Sequence, residues 1–283
     1  MSVRRGRHRI AAAAAAVAAA VGLVALAGCS TAPREVRPGA TTAASGSATG
    51  LTGTLTVFAA ASLTGAFDEL TADFAAQHPG VDVRPVTYDG SSTLATQLVE
   101  GARADVFASA DEATMATVDD AGLVDGAPTL FATNTLQIAV PAGNPELIAS
   151  VADLAVLASS GGRVVLCAAQ VPCGAASQEV LASAGVTLTP ASEEQSVTAV
   201  LTKVAAGEAD AGLVYRTDVL AAGDDVEGVD VDEAATAVNR YPIAVLGTGS
   251  RSSQDAVVAQ AFVDLVLSDA GRQVLADRGF VTP

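Results

Sequence analysis

The chain has 283 residues, with 31 acidic against 15 basic side chains and a formal net charge of −16. A protein that binds nucleic acid needs a basic patch, so this acidic balance argues against a nucleic-acid partner. The sequence contains no P-loop, no G-x-S-x-G motif and no G-x-G-x-x-G motif in a strand-to-helix turn.

The N-terminal segment has the features of a secretory signal peptide. Four arginines within the first nine residues precede an alanine-rich apolar run from Ile10 to Ala27, which ends in Leu26-Ala27-Gly28-Cys29. A run of about 18 apolar residues is also near the minimum for a transmembrane helix. The alanine content favours a signal peptide, and the small residues before the cysteine resemble the bacterial lipobox. We therefore expect removal of residues 1–28, lipidation of Cys29, and an exported protein held at the extracytoplasmic face of the cell membrane by its lipid alone.

After this cleavage the mature chain would have 255 residues and a net charge of −20. Residues 29–53 are rich in Thr, Ala, Ser, Gly and Pro and have no apolar period, which predicts a flexible tether. The folded part is expected to begin near Thr54 and is long enough for two small domains or one large one.

Short apolar runs alternate with helical patterns through the rest of the chain. Strands are predicted, in chain order, at Thr54–Ala60, Val81–Thr87, Asp105–Ser109, Leu136–Pro141, Val164–Cys167, Ala211–Tyr215 and Tyr241–Leu246. Helices are predicted at Leu63–Gln77, Ser92–Glu100, Asp111–Asp120, Ala175–Ala184, Ser196–Gly207, Gln254–Ser268 and Ala270–Arg278. This alternation indicates an α/β fold with mostly parallel sheets.

Four junctions place small or hydroxyl residues at a predicted helix N-terminus. They are Ala59 to Thr64, Tyr88 to Leu94, Val171 to Gly174, and Glu194 to Thr198. A helix start offers unpaired N–H groups and a partial positive charge, which together bind an oxyanion without a basic side chain. Each junction also has an ordinary interpretation. Ser62 and Ser91 would be N-caps, Cys173-Gly174 part of a disulfide loop, Val197 a first-turn core residue, and Tyr215 a half-buried packing residue.

Two cysteines and one histidine remain beyond Cys29 in the mature chain. Cys167 and Cys173 are six positions apart and are expected to form a disulfide outside the cytoplasm, with free thiols or a soft-metal site as the alternatives. His78 precedes Pro79 at a predicted helix end and is expected at the surface. A single histidine supports neither a Ser-His-Asp triad nor an ordinary zinc site.

Several of these segments together resemble the periplasmic molybdate-binding proteins of ABC transporters. The likeness is carried, in family order, by Val57 to Thr64, Ser91 to Ala95, Gly101 to Asp111, Val171 to Gly174, Gly212 to Tyr215 and Tyr241 to Val245. The segments AAASLT, SSTLA and GARADVFASAD are the specific part of the resemblance, which covers about residues 54 to 282.

The resemblance implies a two-lobe periplasmic-binding-protein type II fold, with two hinge crossings between the lobes. Residues 54–133 and 239–283 would form lobe 1, and residues 134–238 lobe 2. It also implies that the hydroxyls of Ser62, Ser91 and Tyr215 and the backbone N–H groups of Cys173 and Val197 bind molybdate or tungstate. Molybdenum would enter only as this oxyanion, without direct protein ligands, and no cofactor is implied. The implied partners are ABC permease subunits, and the implied state is a monomer. Cys173 departs from the alanine usual in the family, but the donor there is the main chain.

Other functions are considered beside high-affinity molybdate binding. The ligand of the same fold could be another tetrahedral oxyanion, sulfate or phosphate. Phosphate that carries a proton needs an acceptor, and Glu193 and Glu194 lie near the fourth junction. A secreted hydrolase with Ser62 as nucleophile would lack a base, and a structural lipoprotein would leave the four junctions unexplained.

Overall fold

The computed structural model describes residues 50–247 and 252–283. The predicted signal peptide, Cys29 and the predicted tether up to residue 49 lie outside the described residues. No helix in the described ranges is both long enough and apolar enough to cross a membrane.

The first lobe is built on a five-stranded sheet with strand order β4-β2-β5-β12-β6. Four of its strands run in one direction, and β12 runs antiparallel to its neighbours β5 and β6. Strands β1 and β3 form a separate parallel pair. The bounds of these strands are β1 Gly53–Leu55, β2 Val57–Ala60, β3 Val81–Val83, β4 Thr87–Asp89, β5 Val106–Ala108, β6 Thr129–Asn134 and β12 Asn239–Val245.

The second lobe is built on another five-stranded sheet with strand order β11-β7-β10-β8-β9. Here β7 is the strand that opposes the other four. The bounds are β7 Leu136–Pro141, β8 Val164–Cys167, β9 Ser192–Glu194, β10 Ala211–Tyr215 and β11 Val226–Val229.

The chain passes between the two sheets twice. It first leaves β6 and enters β7 through Thr135, and it later returns from the second sheet into β12 at Asn239. The opposed strand of each sheet is the one that follows a crossing. The predicted fold class, an α/β protein of two mostly parallel sheets joined by two crossings, is confirmed.

Helices cover both sheets. α1, α2, α3, α8 and α9 belong to the first lobe, and α4 to α7 pack on the second sheet. Their bounds are α1 Thr64–Gln77, α2 Ser91–Val99, α3 Glu112–Asp120, α4 Val151–Ser159, α5 Pro172–Ser183, α6 Val197–Ala205, α7 Arg216–Ala222, α8 Ser253–Leu267 and α9 Asp269–Asp277.

Helix α1 illustrates how the apolar pattern places a helix on its sheet. Phe67, Leu70 and Phe74 recur at spacings of three and four and are each about 1% exposed or less. The rings of Phe67 and Phe74 pack edge-on against Phe262 of α8, with centroids 5.9 and 5.5 Å apart. This packing fixes the N-terminal end of α1 beside the carboxyl end of β2.

Three element predictions need correction. The predicted strand Val81–Thr87 is two strands, since the chain leaves its pairing with β1 before Pro85 and then pairs with β2. The predicted strand Thr54–Ala60 likewise divides at Thr56, whose N–H donates to Asp105. Helix α5 starts at Pro172 rather than Ala175, because proline suits the first helical position.

A candidate anion site between the two lobes

A small cavity lies where the carboxyl ends of both sheets meet. The five residues predicted as anion ligands, Ser62, Ser91, Cys173, Val197 and Tyr215, all line it. The other lining residues are Ala60, Ala61, Gly90, Ala110, Val171, Pro172 and Ser196. None of the lining residues carries a charge. The four junctions that are far apart in the sequence therefore converge on one point.

The two serines of the first lobe do not cap their helices. Ser62 lies within a 3₁₀ turn, Ala61–Leu63, and its hydroxyl makes a 2.9 Å hydrogen bond with the Tyr241 hydroxyl. Ser91 is the first residue of α2 and is 1% exposed, and its hydroxyl oxygen accepts the N–H of Ala110 at 3.0 Å. The N-cap interpretation is therefore wrong for both serines, and the proton of the Ser91 hydroxyl is left to point into the cavity.

The second lobe presents two helix N-termini to the same cavity. Cys173 is in the first turn of α5, and Val197 is the first residue of α6. N–H groups at these positions have no carbonyl partner within their own helix. The side chain of Ser196 caps α6 by accepting the N–H of Ala199 at 3.3 Å. The main chain at Cys173 and Val197 can thus donate to an anion, aided by two helix dipoles.

The disulfide predicted between Cys167 and Cys173 is present and joins the end of β8 to the first turn of α5. The turn is packed tightly: a Cβ on Gly174 would lie 1.8 Å from the carbonyl oxygen of Ala168. The Ala168 N–H in turn donates to the carbonyl of Glu194 at 2.8 Å. These contacts hold the N-terminus of α5 against the strand that leads to α6.

Tyr215 is more deeply buried than its sequence context suggests. It is the last residue of β10, is 1% exposed, and its hydroxyl has no hydrogen-bond partner among the described residues. Burial raises its pKa well above the ordinary value, and the nearby Tyr241 contributes to this rise, although no hydrogen bond joins the two hydroxyls. A buried donor without a partner is costly, so the phenol is poised to bind a ligand in the cavity.

The two glutamates considered as acceptors, Glu193 and Glu194, lie outside the cavity lining. Glu193 is exposed, whereas Glu194 pairs with Lys203 and accepts the hydroxyl of Ser192 at 2.8 Å. Lys203 lowers the pKa of Glu194 accordingly. Neither glutamate lines the cavity, so the acceptor considered for protonated phosphate is not supplied by them.

The positions of Asp218 and His78 bear on metal and hydrolase chemistry. Asp218 is buried and accepts the N–H of Tyr215 at 2.9 Å, and burial raises its pKa to about 7. His78 packs edge-on against Phe74, with ring centroids 4.6 Å apart, and does not line the cavity. Within the described ranges no three His, Cys, Asp or Glu side chains are grouped to hold a metal ion.

The two lobes touch across the mouth of the cavity. The Ser92 hydroxyl of the first lobe donates to the carbonyl of Gln170 in the second at 2.9 Å. A Cβ on Gly90 would lie only 2.0 Å from the carbonyl oxygen of Gln195. The cavity beside these contacts is small, about large enough for one water molecule. This is a closed arrangement with room for a small ion.

The sequence reasoning missed the supporting role of two residues near the serines. Ala110 donates its N–H to Ser91, and Tyr241 holds Ser62. Both lie in segments that carry the family likeness, but their roles depend on contacts between distant parts of the chain.

Comparison with known proteins agrees with this architecture. The model of the family described as bacterial extracellular solute-binding protein matches residues 55–281. The Mycobacterium tuberculosis protein named molybdate-binding protein ModA is 46% identical over 229 residues, which cover 81% of this chain and 85% of that protein.

Two solved structures share the fold. The Azotobacter vinelandii periplasmic molybdate-binding protein aligns with a TM-score of 0.65 and 23% identity, over 81% of this chain and 99% of that one. The sulfate-binding protein SubI from M. tuberculosis aligns with a TM-score of 0.67 and 19% identity, over 81% of this chain and 86% of that one. The chain belongs to the bacterial extracellular solute-binding protein family.

Proposed function

We propose that this protein binds molybdate, and also tungstate, outside the cytoplasm and delivers it to the permease of an ABC transporter. The observation that carries the proposal is the uncharged cavity between the lobes, which offers hydrogen-bond donors and holds the Tyr215 hydroxyl, for which no described residue is a partner. Such a cavity suits an anion that carries no proton and can accept a hydrogen bond on every oxygen.

Five groups would hold the dehydrated ion. Ser62 and Ser91 would donate from the first lobe, and Tyr215 with the N–H groups of Cys173 and Val197 would donate from the second. Each hydrogen bond to a charged group contributes about 1.5–3 kcal/mol. Because the donors are divided between the lobes, the ion would bridge them and stabilise the closed form. Molybdenum itself would touch no protein atom.

The closeness of the relatives favours molybdate over sulfate or phosphate. The relative that is 46% identical is named as a molybdate-binding protein, whereas the sulfate-binding structure is 19% identical and supports only the fold. Sulfate has the same charge but shorter bonds to oxygen. In a cavity closed around the larger ion it would leave buried donors unpaired, which is costly.

We further propose that lipidation of Cys29 holds the exported protein, as a monomer, at the membrane near its permease. The lipobox-like ending before Cys29 supports this. A Cys29→Ser variant is expected to fold normally and to appear in the soluble extracytoplasmic fraction. Retention of that variant in the membrane would contradict lipid anchoring.

Calorimetric titration of the untagged mature domain tests the ligand assignment. Molybdate and tungstate are expected to bind tightly with one ion per chain, and sulfate and phosphate to bind far more weakly. Sulfate binding as tight as molybdate binding would contradict the assignment to molybdate while leaving an oxyanion site in place.

A further inference from the structure

The hydroxyl of Ser62 is held by a chain of hydrogen bonds that begins at the hinge. Asn134 ends β6, next to the crossing at Thr135, and is 4% exposed. Its side-chain oxygen accepts the N–H of Thr135 at 3.0 Å. The amide nitrogen therefore faces the other way, where it donates to Thr217 at 2.8 Å and, over a longer 3.5 Å contact, to the hydroxyl oxygen of Tyr241.

The partners of the Tyr241 hydroxyl determine the direction of its hydrogen bond with Ser62. The residue is fully buried, and its hydroxyl has two hydrogen-bond partners among the described residues, Asn134 and Ser62. The Asn134 amide nitrogen donates and cannot accept. If Ser62 also donated to Tyr241, the buried phenol proton would have no acceptor, which is costly. The arrangement that satisfies every group has Tyr241 donating to Ser62.

This direction determines what Ser62 can do in the cavity. A serine hydroxyl carries one proton, and with its oxygen accepting from Tyr241 that proton is free to point at a ligand. Ser91 is constrained in the same way by the N–H of Ala110. Both serines of the first lobe are thus set as donors before a ligand arrives.

We propose that Tyr241, held by Asn134, is the positioning residue that forces Ser62 to act as a hydrogen-bond donor and thereby excludes oxyanions that carry a proton. Hydrogen phosphate presents an O–H that needs an acceptor, and a serine oxygen already occupied by the Tyr241 proton serves poorly in that role. Tyr241 contacts no ligand and acts only through Ser62. The inference rests on the proposed oxyanion-binding function of the cavity.

A double-mutant cycle on molybdate affinity tests the dependence on Ser62. Tyr241→Phe keeps the ring that packs between Tyr215 and Phe280, with centroids 6.0 and 5.4 Å away. We expect it to weaken molybdate binding about 3- to 10-fold in the otherwise native protein. In the Ser62→Ala background the same change is expected to have less than about a twofold effect.

Competition of phosphate with molybdate is a second measurement, and it would not change if Tyr241 had only a structural role. In Tyr241→Phe, phosphate is expected to compete with molybdate more effectively than in the native protein, because the Ser62 oxygen becomes free to accept. Tyr88→Phe is the matched control: it removes a phenol hydroxyl that donates to Asp68 at 2.8 Å, and Tyr88 does not line the cavity. That variant is expected to keep native affinity and selectivity.

The outcomes separate this inference from the proposed function. Unchanged molybdate affinity in Tyr241→Phe, an equal loss with and without the Ser62 hydroxyl, or unchanged phosphate competition would overturn the role of Tyr241. In each of these cases tight binding by the native protein would leave the proposed function standing. If Tyr241→Phe does not fold, Asn134→Asp replaces the donor to Tyr241 with an acceptor for its proton, which frees the Ser62 oxygen to accept. Phosphate competition is then expected to shift in the same direction, and no shift would overturn the inference. Absence of molybdate binding by the native protein would contradict the proposed function itself.

Discussion

Replacement of Gly90 by alanine would test whether the lobes must close in order to bind. Gly90 precedes α2 with φ of −56° and ψ of 132°, a conformation that alanine adopts without strain. The added Cβ would lie 2.0 Å from the carbonyl oxygen of Gln195 across the mouth of the cavity. The substitution therefore penalises the closed arrangement and leaves the first lobe itself unaffected.

The size of the effect follows from that distance. A Cβ and a carbonyl oxygen need about 3.0 Å or more, so the two lobes must separate by roughly 1 Å at this point. Local relief at Gln195 would displace Ser196 and the first turn of α6, which carries the Val197 N–H. Either movement takes at least one donor of the second lobe out of hydrogen-bonding range. Loss of one hydrogen bond to a charged ion, about 1.5–3 kcal/mol, weakens binding roughly 10- to 150-fold.

Calorimetric titration with molybdate measures this loss, and thermal unfolding without ligand checks the fold. We expect the melting temperature of the ligand-free Gly90→Ala variant to equal or slightly exceed the native value, since alanine lowers the entropy of the unfolded chain. Gly65→Ala is the matched control, because a Cβ there meets only the flexible side chain of Arg278, at 3.1 Å. Native affinity in Gly90→Ala, or an equal loss in Gly65→Ala, would refute the reasoning.

Three further predictions concern single side chains. Ser91→Ala and Ser109→Ala each remove a buried hydroxyl that accepts a backbone N–H, and both should lower the free energy of unfolding by about 1–3 kcal/mol. Only Ser91→Ala, which changes the cavity lining, should also weaken molybdate binding roughly 10- to 150-fold, and equal affinities in a titration of the two variants would contradict this. Cys173→Ala removes the disulfide and should lower the free energy of unfolding in urea by about 2 kcal/mol. Its molybdate affinity should stay within about tenfold of the native value, because the proposed donor is the main chain. Abolished binding would count against this. Burial raises the pKa of Asp218 to about 7, so its contribution to stability is present below about pH 4 and lost as pH rises through about 7. Its negative charge above that pH should weaken molybdate binding, and Asp218→Asn should remove this pH dependence between about pH 6 and pH 8.5 in the same titration.

The elements that could be predicted from the sequence are those whose pattern is local. Strands β7, β8 and β10 have the predicted bounds because each is a mostly apolar run, and β8 and β10 are buried along their whole length. Strand β6 at the edge of the first sheet, helices α4 and α7, and strands β9 and β11 were not predicted. The last two show why. They lie at the two edges of the second sheet, and Ser192–Glu194 has no apolar residue, so its strand conformation comes from pairing with β8.

The cavity lining could be predicted for a similar reason. A helix N-terminus is recognisable in the sequence, and the family likeness indicated which four of these termini converge. What holds Ser62 could not be predicted, because Tyr241 is 179 positions away in the chain. The depth of Tyr215 is likewise a tertiary property, since it depends on both lobes closing over the end of β10.

The central claim is that molybdate sits between the lobes on five uncharged donors. The most direct test is a crystal structure of the mature domain grown with molybdate, with molybdenum located by its anomalous scattering. We expect one anomalous peak inside the cavity, with oxygens within about 3 Å of the hydroxyls of Ser62, Ser91 and Tyr215 and the N–H groups of Cys173 and Val197. A peak outside this cavity, or a cavity without molybdenum in protein saturated with the ion, would contradict the account.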